Sequence, residues 1–122
     1  MKYTVQVIIN KPLQECFKLL DDHENMKHWQ EGLVSYEHIS GDPGTVNAKM
    51  KLNYLFGRRK MSLTETITYK EKNKAFHFNF NGKGMHNIQE NYFEAINDNT
   101  TKWTSENEFA PTTFAMRMMA LL

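Results

Sequence analysis

The chain has 122 residues, 15 lysines and arginines against 14 aspartates and glutamates, and 40% hydrophobic residues. This length is typical of a single domain, 1–122, that can bury a core of its own. The balanced charge argues against a nucleic-acid interface and against a polybasic membrane patch, because both need a clustered basic excess.

The cysteine content and the apolar runs indicate a cellular setting. Cys16 is the single cysteine, so no disulfide can form within the chain, which is typical of a reducing compartment. No apolar run approaches the roughly 20 residues of a membrane span, and the amino terminus lacks the cleavage site of a secretory signal. We therefore expect a cytoplasmic protein without a membrane span.

The first 30 residues predict one strand and two helices. Residues 2–10 alternate between polar and apolar side chains and are rich in β-branched residues, as strands are. Pro12 then begins a helix with one apolar stripe, and Asp22 can cap a second, short helix that carries Met26 and Trp29. The stripe consists of Leu13, Phe17 and Leu20, at positions i, i+4 and i+7.

The rest of the chain predicts about six more strands in hairpin succession. Turn sequences separate the strands: GDPG, FGRR, EKNK, NGKG and NDNT. The predicted strands are 33–40, 45–55, 60–70, the segment of three alternating phenylalanines, 85–96 and 101–109. This order predicts an α+β fold with one antiparallel sheet that has an apolar face and a polar face.

The alternation also predicts which side chains share the apolar face. In the first strands these are Val46, Ala48, Met50, Leu52, Tyr54, Met61, Leu63, Glu65, Ile67, Tyr69, Phe76, Phe78 and Phe80. In the last hairpin two registers are open, because a slip of one residue inverts the face. The register that leaves Glu90, Glu94, Lys102 and Glu106 in water turns Asn87, Gln89, Asn91, Phe93, Trp103, Ser105, Asn107 and Phe109 inward.

The inward register predicts a pocket with apolar walls and a few amide groups, which is how small-ligand sites are built. In the other register, the asparagines lie on a solvated face. The candidate ligand-binding residues are Trp29, Met50, Tyr54, Leu63, Glu65, Ile67, Phe78, Asn87, Gln89, Asn91, Trp103, Ser105 and Asn107. Trp29 can stack on a ligand or can serve in packing alone.

Glu65 is the strongest candidate for a functional residue, since it is a charged residue between Leu63 and Ile67 on the predicted apolar face. A buried carboxylate without a partner is costly, so it should have a partner or a raised pKa. Three roles are open: a polar anchor for a ligand, a general acid or base, and a structural pair across the strands.

The remaining patterns predict neither a metal nor a cofactor. The five histidines are scattered and have none of the spacing of a metal site. The chain has no glycine-rich phosphate loop and no nucleophile with a base in evident reach. The basic residues of FGRRK, 56–60, could meet a phosphate, but they are also what a solvated hairpin turn contains.

Three stretches resemble the SRPBCC superfamily, which includes START lipid-transfer domains, birch-pollen-allergen-like proteins and polyketide cyclases. They are DHENMKHWQEGLVSYEHISGDPGTVNAKMKL, GRRKMSLTETIT and TKWTSENEF. The resemblance implies a helix-grip fold, in which a curved antiparallel sheet of seven strands wraps a long C-terminal helix. It also implies a cavity for an apolar ligand between the sheet and that helix.

The C-terminal stretch FAPTTFAMRMMALL departs from that pattern. Pro111 and the threonines after it predict the start of the grip helix, but only about three turns follow. A short helix would leave apolar sheet surface exposed, and such patches mark interfaces. We therefore expect a homodimer through the C-terminal stub, or a swapped arrangement, that covers the opening.

Three functions are compatible with these features. The first is binding or transport of a small hydrophobic ligand such as a lipid, a polyketide or an aromatic metabolite. The second is an enzyme of the cyclase/dehydrase type that uses Glu65 as its acid or base. The third is a protein-interaction module like the chaperone activators that share the fold. The sequence favours the first, because it shows no clear catalytic set.

Overall fold

The computed structural model describes residues 1–111, except for the side chains of Lys27, Trp29, Ala110 and Pro111. The helical elements are α1 (Leu13–Asp21), a short 3-10 turn (His23–Asn25) and α2 (Met26–Trp29). The strands are β1 (Lys2–Ile9), β2 (Leu33–Ser40), β3 (Lys49–Phe56), β4 (Arg59–Glu71), β5 (Ala75–Gly82), β6 (Met85–Asn97) and β7 (Thr100–Pro111).

All seven strands form one curved antiparallel sheet in the order β1-β7-β6-β5-β4-β3-β2. Hairpins connect β2 to β7 in succession, and β7 returns to pair with β1. The predicted α+β helix-grip class is therefore confirmed. Among residues 1–111, no helix is long and apolar enough to cross a membrane.

The end of β7 differs from the sequence expectation. The strand continues to Pro111, where the sequence predicted a helix to begin. The rest of the predicted C-terminal helix, 112–122, lies outside the described residues, and so does the dimer contact expected through it.

Helix α1 lies on one face of the sheet, which we call the concave face. Its Phe17 ring contacts Phe76 of β5 at 5.7 Å and Phe93 of β6 at 5.6 Å between ring centroids. The apolar stripe predicted for this helix is the side that packs, since Phe17 and Leu20 are buried and Leu13 packs against the core. Burial of large aromatic side chains of this kind contributes much of a core's stability.

The last hairpin adopts the inward register for its amide side chains. Asn91 is opposite Ser105 and Gln89 is opposite Asn107, while Glu94 pairs with Lys102 on the outer face. Phe93 and Trp103 stack at 5.4 Å on the same face as Phe17. Packing against α1 therefore decided the register that alternation alone left open.

A bulge in β4 overturns the inward placement of Tyr69. The β4–β5 register shifts between Ile67 and Tyr69, so Tyr69 is 45% exposed on the outer face. The extra residue inverts the alternation and turns Lys70 to the concave side. Its Nζ atom contacts Asp21 Oδ1 at 2.6 Å and donates to the Gly44 carbonyl at 2.8 Å.

Val46 is also not on the inward face. Strand β3 begins at Lys49 rather than at residue 45, and Val46 is exposed in the turn that precedes it. Asn47 in this turn has a positive φ of 73°, which ends the regular alternation. Ala48 is the first residue of the segment to be buried.

The Lys70 contact gives a testable consequence of the bulge. Lys70→Met keeps the apolar stem but removes both polar contacts, so we expect the free energy of unfolding to fall by about 1–2 kcal/mol. Lys74→Met is the control, because Lys74 is an exposed partner of Glu71 at 3.3 Å, and it should cost less than about 0.5 kcal/mol. Urea denaturation measures both, and equal losses would contradict the role given to Lys70.

Candidate functional site

Glu65 lies on the concave face of the sheet. It lies on β4, opposite Met50 of β3 and Phe80 of β5, and is only 6% exposed. Within the described residues, no hydrogen bond joins its carboxyl group to another residue. A buried carboxyl in such surroundings favours its neutral form.

Burial raises the pKa of Glu65 to about 7. At neutral pH the carboxyl group is therefore poised between its acid and its base form, and it can donate or accept a proton. Burial also raises the pKa of Tyr54, and the nearby charge of Glu65 raises it further. The Tyr54 hydroxyl donates to Gln30 Oε1 at 2.6 Å, so it is already engaged.

A small hollow lies between Glu65 and the helical segment, and we call it the Glu65 hollow. Its volume is about 30 Å³, which is the scale of a water molecule. It is lined by Leu20, Asp21, His23, Met26, Gly44, Met50, Glu65, Ile67, Phe76 and Phe78. The hollow therefore leaves space beside the carboxyl group for about one water molecule and not for a larger group.

A larger apolar cleft lies beside this hollow. Its volume is about 250 Å³, and it is lined by Leu19, Leu20, Asn25, His28 and Trp103. Leu20 lines both spaces, so the cleft and the Glu65 hollow adjoin at one α1 residue. The cleft is slightly smaller than the usual range for small-molecule sites, which starts at roughly 300 Å³.

A network of amides fills the part of the concave face formed by β6 and β7. The Trp103 indole donates to Asn91 Oδ1 at 3.0 Å, and Asn91 Nδ2 donates to the Phe76 carbonyl at 3.0 Å and to Gln89 Oε1 at 3.2 Å. Gln89 Nε2 donates in turn to Asn107 Oδ1 at 3.3 Å. Asn91 is wholly buried, and its amide is satisfied by the protein itself, as buried polar groups usually are.

Two further candidates belong to this polar region. Asn107 also donates to the Ser105 hydroxyl at 3.1 Å. Asn87 differs from the other amides, because its buried Oδ1 has no hydrogen-bond partner within the described residues. An unsatisfied acceptor is uncommon in a folded protein, and it leaves Asn87 able to accept a donor.

The predicted ligand-binding residues therefore lie in different places in the structure. Met50, Ile67 and Phe78 lie with Glu65 around its hollow, and Trp103 lines the cleft. Tyr54 and Leu63 are buried in the core and line neither space. Trp29 ends α2, but its side chain lies outside the described part of the chain.

Sequence reasoning missed four residues that line the cleft: Leu19, Leu20, Asn25 and His28. Leu20 belongs to the stripe predicted for α1, so its inward direction could have been used. Leu19 lies off the stripe, and His28 had no metal partner to mark it. Among the described residues, no cluster of three His, Cys, Asp or Glu side chains could hold a metal ion.

Comparison with known proteins supports the architecture through structure rather than sequence. No protein-family model matches the sequence, and no curated protein matches it. Several solved structures are similar. The crystal structure of Ara h 8.0201 has a TM-score of 0.77 at 14% identity, covering 98% of this chain and 87% of that chain.

Two enzymes are similarly close in structure. The Zhui aromatase/cyclase from Streptomyces sp. R1128 has a TM-score of 0.78 at 9% identity, covering 93% of this chain and 69% of that chain. Norcoclaurine synthase from Thalictrum flavum has a TM-score of 0.76 at 8% identity, covering 100% of this chain and 76% of that chain.

The described chain has the helix-grip fold of these solved structures. The resemblance read from the sequence is thus confirmed for the architecture. In this fold, side chains of α1 and of the sheet line both the Glu65 hollow and the apolar cleft.

Burial of Glu65 predicts a pH dependence of stability. The folded pKa of about 7 lies above the ordinary glutamate pKa of 4.5, so the folded state loses stability as the pH rises from about 4.5 to about 7. At about 1.4 kcal/mol per pKa unit, the loss approaches roughly 3 kcal/mol. Glu65→Gln removes the titrating group, so it should stabilise the protein above pH 7 and change little below pH 4.5.

Denaturant unfolding of wild type and variant across this range measures the difference. The control is Glu94→Gln, at an exposed carboxyl group on the outer face, which should change stability by less than about 0.5 kcal/mol throughout. A difference between wild type and Glu65→Gln that does not vary with pH would contradict the burial argument.

Proposed function

We propose that the protein binds or carries a small, largely apolar molecule in the cleft beside Glu65. The observation that carries the proposal is that an apolar cleft shares Leu20 with the hollow of a buried carboxyl group, which has no hydrogen-bond partner within the described residues. Apolar walls with a small number of precisely placed polar groups are typical of small-molecule sites.

The polar end of the ligand would meet Glu65. A carboxyl group with a pKa of about 7 can accept a hydrogen bond from a hydroxyl or amine and can donate one to a carbonyl group. A ligand that extends from the cleft to Glu65 would contact Leu20, which lines both spaces. We therefore expect ligands with an aliphatic or aromatic body and one polar end.

The structural neighbours support a ligand of this general kind. One structure of the similar norcoclaurine synthase is a complex with dopamine and hydroxybenzaldehyde. Both compounds have an aromatic body and polar substituents. We propose a lipid, polyketide or aromatic metabolite as the class for this chain, and a cytoplasmic location, since Cys16 is its single cysteine.

Leu19 allows a direct test of the cleft, because it lines the cleft and is itself exposed. With 8-anilinonaphthalene-1-sulfonate as a fluorescent probe, Leu19→Lys should weaken binding roughly tenfold, since it places a hydrated charge on an apolar wall. Leu55→Lys is the matched control, because Leu55 is an equally exposed leucine on β3. Equal binding by the two variants would reject the cleft as the site.

A second candidate is an enzyme of the cyclase/dehydrase type in which Glu65 moves the proton. The raised pKa of Glu65 favours it, because general acids and bases work best when their pKa is near the operating pH. The similarity to an aromatase/cyclase also supports it, although the fold alone does not fix a reaction.

Turnover distinguishes the enzyme from the carrier. Native mass spectrometry of the purified protein identifies a retained molecule, and incubation with that molecule shows whether it is converted. If Glu65 is the acid or base, Glu65→Gln should lower the rate by about 100- to 10,000-fold and remove the pH inflection near 7, while the molecule is still bound. Unchanged turnover in Glu65→Gln would reject the catalytic role.

A further inference from the structure

The two edges of the sheet are built differently. β2 forms one edge, and its pairing with β3 is interrupted by two register shifts, between Leu33 and Ser35 and between His38 and Ser40. It also carries Glu37 in mid-strand. Bulges and charges are the means by which proteins prevent an edge strand from pairing with another chain.

β1 forms the other edge and has neither a register shift nor a charge in mid-strand. Its eight residues, KYTVQVII, pair with β7 without a register shift and include a charged side chain only at Lys2. Its outer side has no partner strand among residues 1–111. Tyr3, Val5 and Val7 are 45–49% exposed on the concave face, and Ile8 is exposed on the other.

The hydrogen-bond pattern shows which backbone groups of β1 are free to pair. Met1 and Phe109 exchange both backbone bonds, from the Met1 amine to the Phe109 carbonyl at 3.0 Å and from the Phe109 amide to the Met1 carbonyl at 2.8 Å. In an antiparallel pair such bonded positions alternate. The backbone groups of Tyr3, Val5, Val7 and Ile9 therefore face β7, and those of Lys2, Thr4, Gln6 and Ile8 face outward.

We propose that β1 pairs with β1 of a second copy of this chain, antiparallel and centred on Val5. In this register Lys2 pairs with Ile8 of the other copy, and Thr4 pairs with Gln6. Each outward N–H and C=O group of these four residues then gains a partner, which is the way β-strand addition provides affinity. A two-fold axis makes the contact closed and identical in both copies.

The side chains fit the same register on both faces. On the concave face, Val5 meets its own copy and Tyr3 meets Val7, so three exposed apolar residues are covered in each chain. On the outer face no charge meets a like charge, because Lys2 lies opposite Ile8. Aromatic–β-branched and aliphatic pairs across strands are favourable, whereas like charges directly opposite one another are not. The dimer contact uses no residue beyond Ile9.

Sedimentation velocity over protein concentrations up to the millimolar range tests the dimer. Wild type should show a concentration-dependent dimer, and Val5→Lys should weaken it roughly tenfold or more, because two lysines then meet at the axis. Val34→Lys is the matched control at the opposite edge, since Val34 is also an exposed valine, and it should behave as wild type. Circular dichroism checks that each variant is folded.

A cysteine placed at the axis tests the register. In the proposed pairing the two Val5 positions form a non-hydrogen-bonded pair, whose Cα atoms are about 4.5 Å apart, within disulfide range. Val5→Cys should therefore form a cross-linked dimer on mild oxidation, and Val34→Cys should not. The native Cys16 is buried and does not compete. A monomeric wild type, a Val5→Lys dimer as strong as wild type, or no Val5→Cys cross-link would each overturn the proposal.

Discussion

The ring of Phe17 joins the helical layer to the sheet, and its contacts with Phe76 and Phe93 set the position of α1 over β5 and β6. A single antiparallel sheet needs a cover on its apolar face. Because α1 is held at this point, Leu20 lines the same hollow as Glu65, and Asp21 contacts Lys70. The far side of the concave face, at β1, keeps its apolar side chains exposed.

The concave face buries two polar side chains in different ways. Asn91 is wholly buried, but its amide bonds to Phe76, Gln89 and Trp103, so the burial carries little penalty. Glu65 is buried beside a water-sized hollow without such bonds in the described chain, and its pKa rises as a result. The amide network around Asn91 stabilises one part of the sheet, whereas the carboxyl group of Glu65 can still form a hydrogen bond with a further partner.

The cleft beside α1 and the β1 edge therefore suit different kinds of partner. The cleft beside α1 is apolar and shares Leu20 with the Glu65 hollow, an arrangement that suits a small molecule. The β1 edge offers a straight row of backbone groups between apolar side chains, which suits another strand. Neither ligand binding in the cleft nor pairing of β1 requires Glu65 to be a catalytic acid or base, because apolar burial and backbone hydrogen bonding act whether or not a reaction occurs.

The sequence alone determined the strand alternation, the turns and the side of α1 that packs, because these follow from local periodicity and turn chemistry. It placed Glu65 on the apolar face correctly for the same reason. Only the tertiary structure decided the inward register of Asn91, the bulge that turned Tyr69 outward, and the presence of two separate spaces where one pocket was predicted. Each of these depends on contacts between strands and helix that are distant in sequence, and periodicity carries no information about such packing.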